Sequence, residues 1–330
     1  MKILILKQDE MLKVFSMSEA IQACREAFEL YSDGKTDIPL RVNIDVPQAS
    51  GQSLYMPGYA CDAGALGVKI VSVYPGNPAK GLPSVPAVMA LLDAQTGMLI
   101  SLMDGTCLTR IRTGAASGVA TDILSSPESS IFALFGAGGQ AETQLEATLT
   151  VRPAIKEVRV FSLQGVEEFV QRMRNRFEAK FNCKIKAVSS PAEAVHNADI
   201  ITTVTTSKTP VYDGKLLKRG VHVNGVGSYT PEMHENDEYF VTRAKVYVDT
   251  RDGAFAEAAD LIIPVQNHTF SFDQVVGEIG EVIAGKAPGR VDAEENTFFK
   301  TVGSGVQDIV TARRIYDKAV KLNIGSFIDF

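Results

Sequence analysis

Hydrophobic residues recur along the chain with two different periods. Between residues 40 and 103, short apolar runs are separated by Gly, Pro and Asn turns, which predicts neighbouring strands of one mostly antiparallel sheet. These strands are predicted at residues 40–46, 53–57, 65–73, 86–93 and 98–103. Residues 18–31 carry apolar positions at helical spacing and predict a helix. The short apolar run at residues 2–6 predicts an edge strand.

After residue 130 the pattern changes to apolar strands that alternate with helices, which predicts right-handed crossovers and a parallel sheet. The predicted strands are 131–135, 157–162, 184–188, 199–204, 221–226 and 245–249; the predicted helices are 108–124, 139–150, 165–180, 191–196 and 305–322. We therefore predict an α/β protein with two domains. A doubly wound Rossmann domain, residues 121–305, is inserted in an α+β domain formed by residues 1–120 and 306–330.

Composition narrows the functional class. The chain is 45% hydrophobic and 22% charged with a net charge of −6, which argues against nucleic acid or an anionic membrane as the main partner. No apolar stretch reaches transmembrane length. The cysteines have neither metal nor redox spacing, so we expect buried free thiols and a cytoplasmic protein; they are Cys24, Cys61, Cys107 and Cys183.

Residues 131–141 hold the pattern Gly136-Ala-Gly138-Gly139-Gln140-Ala141 directly after five apolar residues. This context is typical of a strand that turns into a helix beneath a dinucleotide. Gly136 allows the tight turn, Gly138 lets the backbone approach the pyrophosphate, and Ala141 permits close helix packing. The N–H groups at the helix start would hold the phosphates. The alternative is an ordinary glycine turn.

Ser162, at the end of the second Rossmann strand, informs the choice of cofactor. An NAD site usually has Asp or Glu at this position, where it binds the ribose hydroxyls. Serine removes the negative charge that would repel a 2′-phosphate, although no arginine follows it directly. The sequence therefore favours NADPH, with NADH as the alternative.

Two further segments carry candidate chemistry. Lys69 lies inside an apolar strand, where it is either a desolvated functional lysine or a lysine on the solvent face. Arg112 is predicted in the first turn of a helix, where a cation opposes the helix dipole, so it is a candidate for binding a carboxylate or pyrophosphate; the alternative is a solvated arginine.

Four segments together resemble the ornithine cyclodeaminase/mu-crystallin family. They are the Lys69 strand, Arg110-Ile-Arg112-Thr-Gly-Ala-Ala-Ser, the Gly136 pattern, and Phe298-Phe-Lys300-Thr-Val-Gly303-Ser-Gly-Val-Gln-Asp308. The resemblance implies that residues 1–120 and 306–330 form a substrate-binding and dimerisation domain. It also implies hydride exchange at the α-carbon of an amino or imino acid, and a homodimer.

The resemblance assigns roles to individual positions. Arg41, Lys69 and Arg112 match positions that bind the substrate carboxylate, and Lys69 is also the candidate acid or base beside the imine. Ser84 matches a small hydroxyl residue near the cofactor. The segments that line the nicotinamide side contain Thr203, Val226, Gly227 and Gly303.

Tyr229 departs from the cyclodeaminase pattern, which has an aspartate at this position for proton transfer and ammonia loss. A phenol with a pKa of about 10 is a poor substitute for a carboxylate base, although Tyr229 could donate a hydrogen bond or simply pack. We therefore expect an NAD(P)H-dependent oxidoreductase of proline metabolism that reduces a small cyclic imino acid. The favoured substrate is Δ1-pyrroline-2-carboxylate, which gives L-proline, and the alternative substrate is the piperideine analogue. The alternatives are an ornithine cyclodeaminase and a non-catalytic mu-crystallin-like binding protein.

The histidines and a nearby glutamate are candidate metal ligands. His222, His234 and Glu235 do not have the spacing of a known zinc site. The sequence therefore predicts no metal, and surface or capping roles for these three residues.

Overall fold

The computed structural model describes residues 2–329, which separate into two compact units. Unit 1 contains the residues up to 112 and those from 304 onward, and unit 2 contains residues 113–303. The predicted domain boundary at residue 120 lies within a helix, Gly105–Leu124, that begins in unit 1 and ends in unit 2. None of the helices in residues 2–329 has the length and apolar character needed to cross a membrane.

The strands of the described chain are numbered in chain order. They are β1 (Lys2–Leu6), β2 (Thr36–Asp37), β3 (Val42–Val46), β4 (Gly51–Ala60), β5 (Ala65–Val73), β6 (Ala87–Leu92), β7 (Leu99–Asp104), β8 (Ile131–Phe135), β9 (Glu157–Phe161), β10 (Lys184–Ala187), β11 (Ile200–Thr203), β12 (His222–Gly225), β13 (Lys245–Val248), β14 (Val275–Glu278), β15 (Thr297–Lys300) and β16 (Ser326–Asp329).

The helices are numbered in the same way. They are α1 (Gln8–Val14), α2 (Met17–Ser32), α3 (Gly105–Leu124), α4 (Ala141–Val151), α5 (Val166–Met173), α6 (Ala179–Phe181), α7 (Pro191–Val195), α8 (Glu238–Val241), α9 (Arg251–Glu257), α10 (Ala259–Gln266), α11 (Ile279–Ile283) and α12 (Gly305–Leu322). A π-helical turn, Arg174–Glu178, joins α5 to α6 and interrupts the single helix predicted at residues 165–180.

Unit 1 is built on a mostly antiparallel sheet, as predicted. Its order is β16-β1-β7-β6-β5-β4-β2, and β3 also pairs with β4. Only β1 and β7 pair in parallel within the described sheet. The prediction of β1 as an edge strand was wrong, because β16 returns from the end of the chain and pairs with its outer side.

One face of this sheet is covered by helices. Helix α12 packs on β4 and β5, and α2 packs on α12. Ser16 caps the N-terminus of α2 and forms a capping box with Glu19. Its hydroxyl accepts a hydrogen bond from the Glu19 N–H, and the Glu19 carboxylate accepts one from the Ser16 N–H. The last helix therefore does return to the first unit, and it lies directly over the strand that contains Lys69.

Unit 2 contains an eight-stranded parallel sheet of order β10-β9-β8-β11-β12-β15-β13-β14. Apolar clusters bury both of its faces, as expected for a doubly wound sheet. The α/β fold class is thus confirmed. Sequence reasoning missed β15 in the middle of this sheet, since the four residues Thr297–Lys300 are all buried and give no alternation to read.

Candidate active site

Lys69 is the most deeply buried charged candidate in unit 1. It lies on β5 and is 1% exposed, on the face that the helices cover. Its neighbours in the chain, Val68 and Ile70, point to the opposite face and are only half-buried. The polar residue is therefore inside and the apolar residues are outside, which inverts the usual pattern and excludes the solvent-face interpretation of Lys69.

A buried carboxylate accompanies Lys69. Its Nζ donates to Asp308 Oδ1 at 2.9 Å and lies 2.8 Å from Oδ2. Arg112 Nε lies 3.0 Å from Asp308 Oδ1, and Arg112 Nη1 donates a hydrogen bond to Gln307 Oε1 at 2.8 Å. Asp308 is fully buried on the first turn of α12. One carboxylate thus faces two buried cations, so this cluster retains a positive charge when both cations are protonated.

The surroundings of Lys69 lower the pKa of its amine toward neutral pH. Burial lowers the pKa of Lys69 to about 7, and the charges of Arg112 and Arg41 act in the same direction. Asp308 opposes them and raises the pKa. An amine that exchanges a proton near pH 7 suits general acid–base chemistry.

The argument for Arg112 from the helix dipole was wrong, although the residue is well placed. Helix α3 begins at Gly105, where Asp104 Oδ1 accepts a hydrogen bond from the Cys107 N–H, so Arg112 lies two turns into the helix. The sequence signal for this earlier start was Asp104, an aspartate directly after a strand. Arg112 is 5% exposed and is oriented by its polar partners on α12.

The other two candidates in unit 1 differ in their setting. Arg41 precedes β3, is partly buried, and is close enough to lower the pKa of Lys69. Ser84 is exposed in the loop before β6, where its carbonyl accepts a hydrogen bond from the Tyr74 N–H. Beside Lys69, the paired residues on β4 and β6 are Met56 and Met89, both buried.

The glycine loop of unit 2 has the geometry that dinucleotide binding requires. Gly136 has φ +111°, and a Cβ there would lie 2.8 Å from the carbonyl oxygen of Val204, so both conformation and space require glycine. At Gly138 and Gly139 a Cβ would meet nothing within 4 Å. Their backbone therefore faces open space ahead of α4, which fits a pyrophosphate group.

The remaining cofactor candidates lie after neighbouring strands of the same sheet. Thr203 ends β11, and its carbonyl accepts hydrogen bonds from the Val226 and Gly227 N–H groups that follow β12. Gly303 follows β15 with φ +82°, and its N–H donates to Asp249 Oδ2 at 2.8 Å. Ser162 follows β9, and its hydroxyl donates to the Gln164 carbonyl.

Comparison with known proteins agrees with this geometry. The model of the ornithine cyclodeaminase/mu-crystallin family matches residues 1–323. The chain belongs to this family. The resemblance inferred from the four sequence segments is therefore confirmed across nearly the whole chain.

Three relatives align with almost the whole length of this chain. A Δ1-pyrroline-2-carboxylate reductase from Bacillus cereus is 36% identical over 328 residues, covering 99% of this chain and 100% of that protein. The structure of the Thermococcus litoralis Δ1-pyrroline-2-carboxylate reductase with NADH and L-proline is 39% identical, has a TM-score of 0.93, and covers 98% of this chain and 99% of its own. An archaeal alanine dehydrogenase, a dimer with bound NAD, is 35% identical with a TM-score of 0.92 and full coverage of both chains.

Tyr229, the residue that departs from the cyclodeaminase pattern, is half-buried in this protein. It packs against the apolar core on one face of the parallel sheet.

The surface or capping roles that we expected for His222 and Glu235 were wrong, because both residues are buried. His222 is fully buried between Thr297 and Asn224, and burial lowers its pKa to about 3. Glu235 is also fully buried.

The metal-binding and cysteine side chains of the described residues give no further candidates for the site. Residues 2–329 contain no group of three His, Cys, Asp or Glu side chains arranged to hold a metal ion. The four cysteines are free, and burial was predicted correctly for Cys24, Cys107 and Cys183 but wrongly for Cys61, which is exposed.

Proposed function

We propose that this protein reduces a small cyclic imino acid with a nicotinamide cofactor, and that its substrate is Δ1-pyrroline-2-carboxylate and its product L-proline. The observation that carries the proposal is the buried cluster of Lys69, Arg112 and Asp308, in which two cations share one carboxylate. The full-length relatives in Bacillus cereus and Thermococcus litoralis, both named as reductases of this imino acid, support it.

The residues of unit 1 suit a substrate that is both an anion and an imine. Arg112 and Arg41 bind the carboxylate, and charge-assisted contacts of this kind are about twice as strong as neutral ones. Lys69 holds a proton near pH 7 and delivers it to the imine nitrogen. The backbone at Gly138 and Gly139 would hold the pyrophosphate of a nicotinamide nucleotide, which would supply the hydride for the α-carbon when bound.

The neighbours of Lys69 favour a cyclic imine over a diamino acid. A second ammonium, as in ornithine, needs a carboxylate partner when it leaves water. The residues that pair with Lys69 across the sheet are the methionines Met56 and Met89, and its buried carboxylate partner, Asp308, already faces two cations. Tyr229 adds no carboxylate either.

We further propose that the cofactor is NADPH. Ser162 presents a hydroxyl where a carboxylate would repel a 2′-phosphate. Its hydrogen bond to the Gln164 carbonyl keeps this side chain in the turn that follows β9. A comparison of kcat/KM for NADPH and NADH tests the preference, and Ser162→Asp should shift it toward NADH.

The experiment that tests the function is a panel of substrates with the purified protein. Δ1-Pyrroline-2-carboxylate should be reduced with a higher kcat/KM than pyruvate with ammonia, and ornithine should give no ammonia at a comparable rate. Ornithine conversion equal to or above imine reduction would establish the cyclodeaminase instead. Binding of the cofactor without turnover of any imine would establish the non-catalytic alternative.

A homodimer is the assembly that the sheet of unit 1 supports. Its uncovered face carries apolar residues that are only half-buried in a single chain; they include Tyr55, Leu66, Val68, Ile70, Ala90, Leu92 and Leu102. A face of this kind normally needs a partner. The archaeal alanine dehydrogenase, which is a dimer, has the same fold. Light scattering at micromolar concentration should give twice the chain mass of 35.6 kDa.

A further inference from the structure

Glu235 joins two loops that leave neighbouring strands of the parallel sheet. Its Oε1 accepts a hydrogen bond from the Thr205 N–H after β11, at 2.5 Å. Its Oε2 accepts one from the Ser228 N–H after β12, at 2.9 Å. The side chain is fully buried, so water does not replace either contact. One carboxylate therefore fixes the spacing between the two loops.

Gly227 packs directly against this carboxylate. A Cβ at Gly227 would lie 2.5 and 2.6 Å from the two oxygens of Glu235, and 2.1 Å from the Thr205 carbonyl oxygen. Glycine is thus required here by the close approach of the Thr205 carbonyl oxygen and the Glu235 carboxylate, and not by an unusual φ angle. The loop backbone and the carboxylate form one closely packed unit.

Glu235 is itself held by a charged network. Asp260 Oδ1 accepts hydrogen bonds from the Glu235 and Asn236 N–H groups at 2.8 and 3.0 Å. Lys300 Nζ lies 3.4 Å from Asp260 Oδ2 and donates to the carbonyl of Gly225, the last residue of β12. Asp260 and Lys300 are fully buried as well. This network has no part in the proton and carboxylate chemistry assigned to unit 1.

The location of these loops points to their role. The glycine loop follows β8, and β11 and β12 are the next two strands of the sheet. In open parallel sheets, ligands bind outside the carboxyl ends of the strands, next to the point where strand order reverses. The order β9-β8-β11 places that point between β8 and β11. Glu235 thus fixes the backbone beside the expected cofactor position.

We propose that Glu235 is a positioning residue for the nicotinamide cofactor: its ionised carboxylate holds the loops after β11 and β12 in the conformation that binds the cofactor. The inference rests on the proposed function, since it requires that the protein binds a nicotinamide nucleotide. Glu235 acts through the Thr205 and Ser228 backbone and contacts no reacting atom.

The ionised form matters because both contacts come from N–H donors. Protonation places a hydrogen on an oxygen that already faces a donor, and one loop contact is lost. Burial and the charge of Asp260 raise the pKa of Glu235 to about 7, while Lys300 and the Thr205 N–H lower it. The loops should therefore loosen as pH falls through about 7.

The same titration affects global stability in the opposite direction. A carboxyl whose pKa is higher in the folded than in the unfolded chain is stabilising in its protonated form, so its contribution to the free energy of unfolding increases as pH falls from about 7 toward the ordinary value of 4.5. A purely structural role would move cofactor binding and stability together. The positioning role moves them apart.

The test is calorimetric titration of the full-length protein with NADPH, the proposed cofactor, and with NADH, from about pH 6 to about pH 8.5, beside thermal unfolding at each pH. In the wild type, the Kd should rise up to about tenfold per pH unit below the titration midpoint. Glu235→Gln replaces one oxygen with an amide that faces a donor, so its Kd at high pH should be at least about tenfold weaker and should not depend on pH. Glu232→Gln, an exposed residue of the same loop, should behave as the wild type.

Each result separates the inference from the function on which it rests. A pH-independent Kd in the wild type overturns the positioning role, and this measurement needs no variant to fold. Tight, pH-dependent binding by Glu235→Gln also overturns it. If the wild type does not bind NADH or NADPH at any pH, the proposed function itself fails.

Discussion

In unit 1 the candidate chemistry resides in side chains, and in unit 2 it resides in the backbone. Lys69 and Arg112 project from a strand and a helix, and their charges are balanced by Asp308 on a second helix. The loop at Gly136 offers N–H groups and open space instead. Buried carboxylates occur in both units, but Asp308 faces cations whereas Glu235 accepts hydrogen bonds from the backbone.

This difference indicates how each unit should respond to substitution. A side chain that carries a charge can be removed while the element that bears it remains, so loss of Lys69 should impair chemistry before it impairs structure. A backbone site has no such group to remove. It is impaired by adding atoms, or by removing the side chains that hold the loops in place.

The largest effect should come from removing the amine. Lys69→Ala should lower kcat for imine reduction by about 10²–10⁴-fold, because the nitrogen loses its proton donor. Binding of NADH to unit 2 should stay nearly unchanged, as measured by calorimetry. Lys186→Ala, which removes an exposed lysine of unit 2, is the matched control. A kcat close to the wild-type value would remove Lys69 from the mechanism.

Removal of the shared carboxylate should alter both stability and the pH profile. Asp308→Asn leaves Arg112 buried without a counter-charge, which should cost about 3–5 kcal/mol in the free energy of unfolding. Asp317→Asn, on the exposed side of the same helix, should cost within about 1 kcal/mol.

The pH profile distinguishes a role of Asp308 in chemistry from a role in stability alone. Reduction needs the protonated amine, so kcat/KM in the wild type should fall as pH rises through about 7, and oxidation of proline should rise. Asp308 raises the pKa of Lys69, so in Asp308→Asn both limbs should move to lower pH. Limbs that stay in place would show that Asp308 only stabilises the fold.

The candidate backbone site is easier to recognise in the sequence than the side-chain site, for a physical reason. The glycines of a dinucleotide-binding loop lie close together in the chain, so Gly136 and Gly138 are visible as a local pattern. Lys69 and Asp308 are 239 residues apart, and only the fold brings them together. Asp308 lies in one of the segments that resemble the family, yet no neighbouring residue in the sequence indicates that it pairs with Lys69.

The same reasoning explains the errors. The start of α3 was predicted at residue 108, whereas the helix begins at Gly105, and Arg112 was therefore assigned to a first turn that it does not occupy. Surface or capping roles were expected for Glu235 because its spacing from His222 and His234 fits no known zinc site. Its actual partners, Thr205 and Ser228, offer only backbone N–H groups, which a sequence does not reveal. Side chains that bind backbone leave no complementary residue to look for.

A smaller effect is expected from the carboxylate clamp. Arg112→Ala should weaken substrate binding by about 1.5–3 kcal/mol, seen as a higher KM for the imino acid. It should also raise the pKa of Lys69, because the charge of Arg112 lowers it, and so extend reduction to higher pH. Arg219→Ala, a highly exposed arginine of unit 2, should change neither quantity. An unchanged KM would exclude Arg112 from binding the carboxylate.

The smallest effects should come from a matched pair of glycine substitutions in unit 2. The pair distinguishes a glycine that the backbone conformation requires from a glycine that leaves space for a ligand. Gly136→Ala forces a side chain into a positive φ and against the Val204 carbonyl, so the free energy of unfolding should fall by about 1–3 kcal/mol. Gly138→Ala meets no neighbouring atom in the protein, so stability should change by less than about 0.5 kcal/mol. Its added methyl group would instead occupy the space expected for the pyrophosphate, and NADH affinity should fall by about 1 kcal/mol or more. Thermal unfolding and calorimetry on both variants measure the two quantities. If Gly138→Ala bound NADH as tightly as the wild type, the open space before α4 would not be the phosphate site, and binding through the backbone of unit 2 would have to be sought elsewhere along the sheet edge.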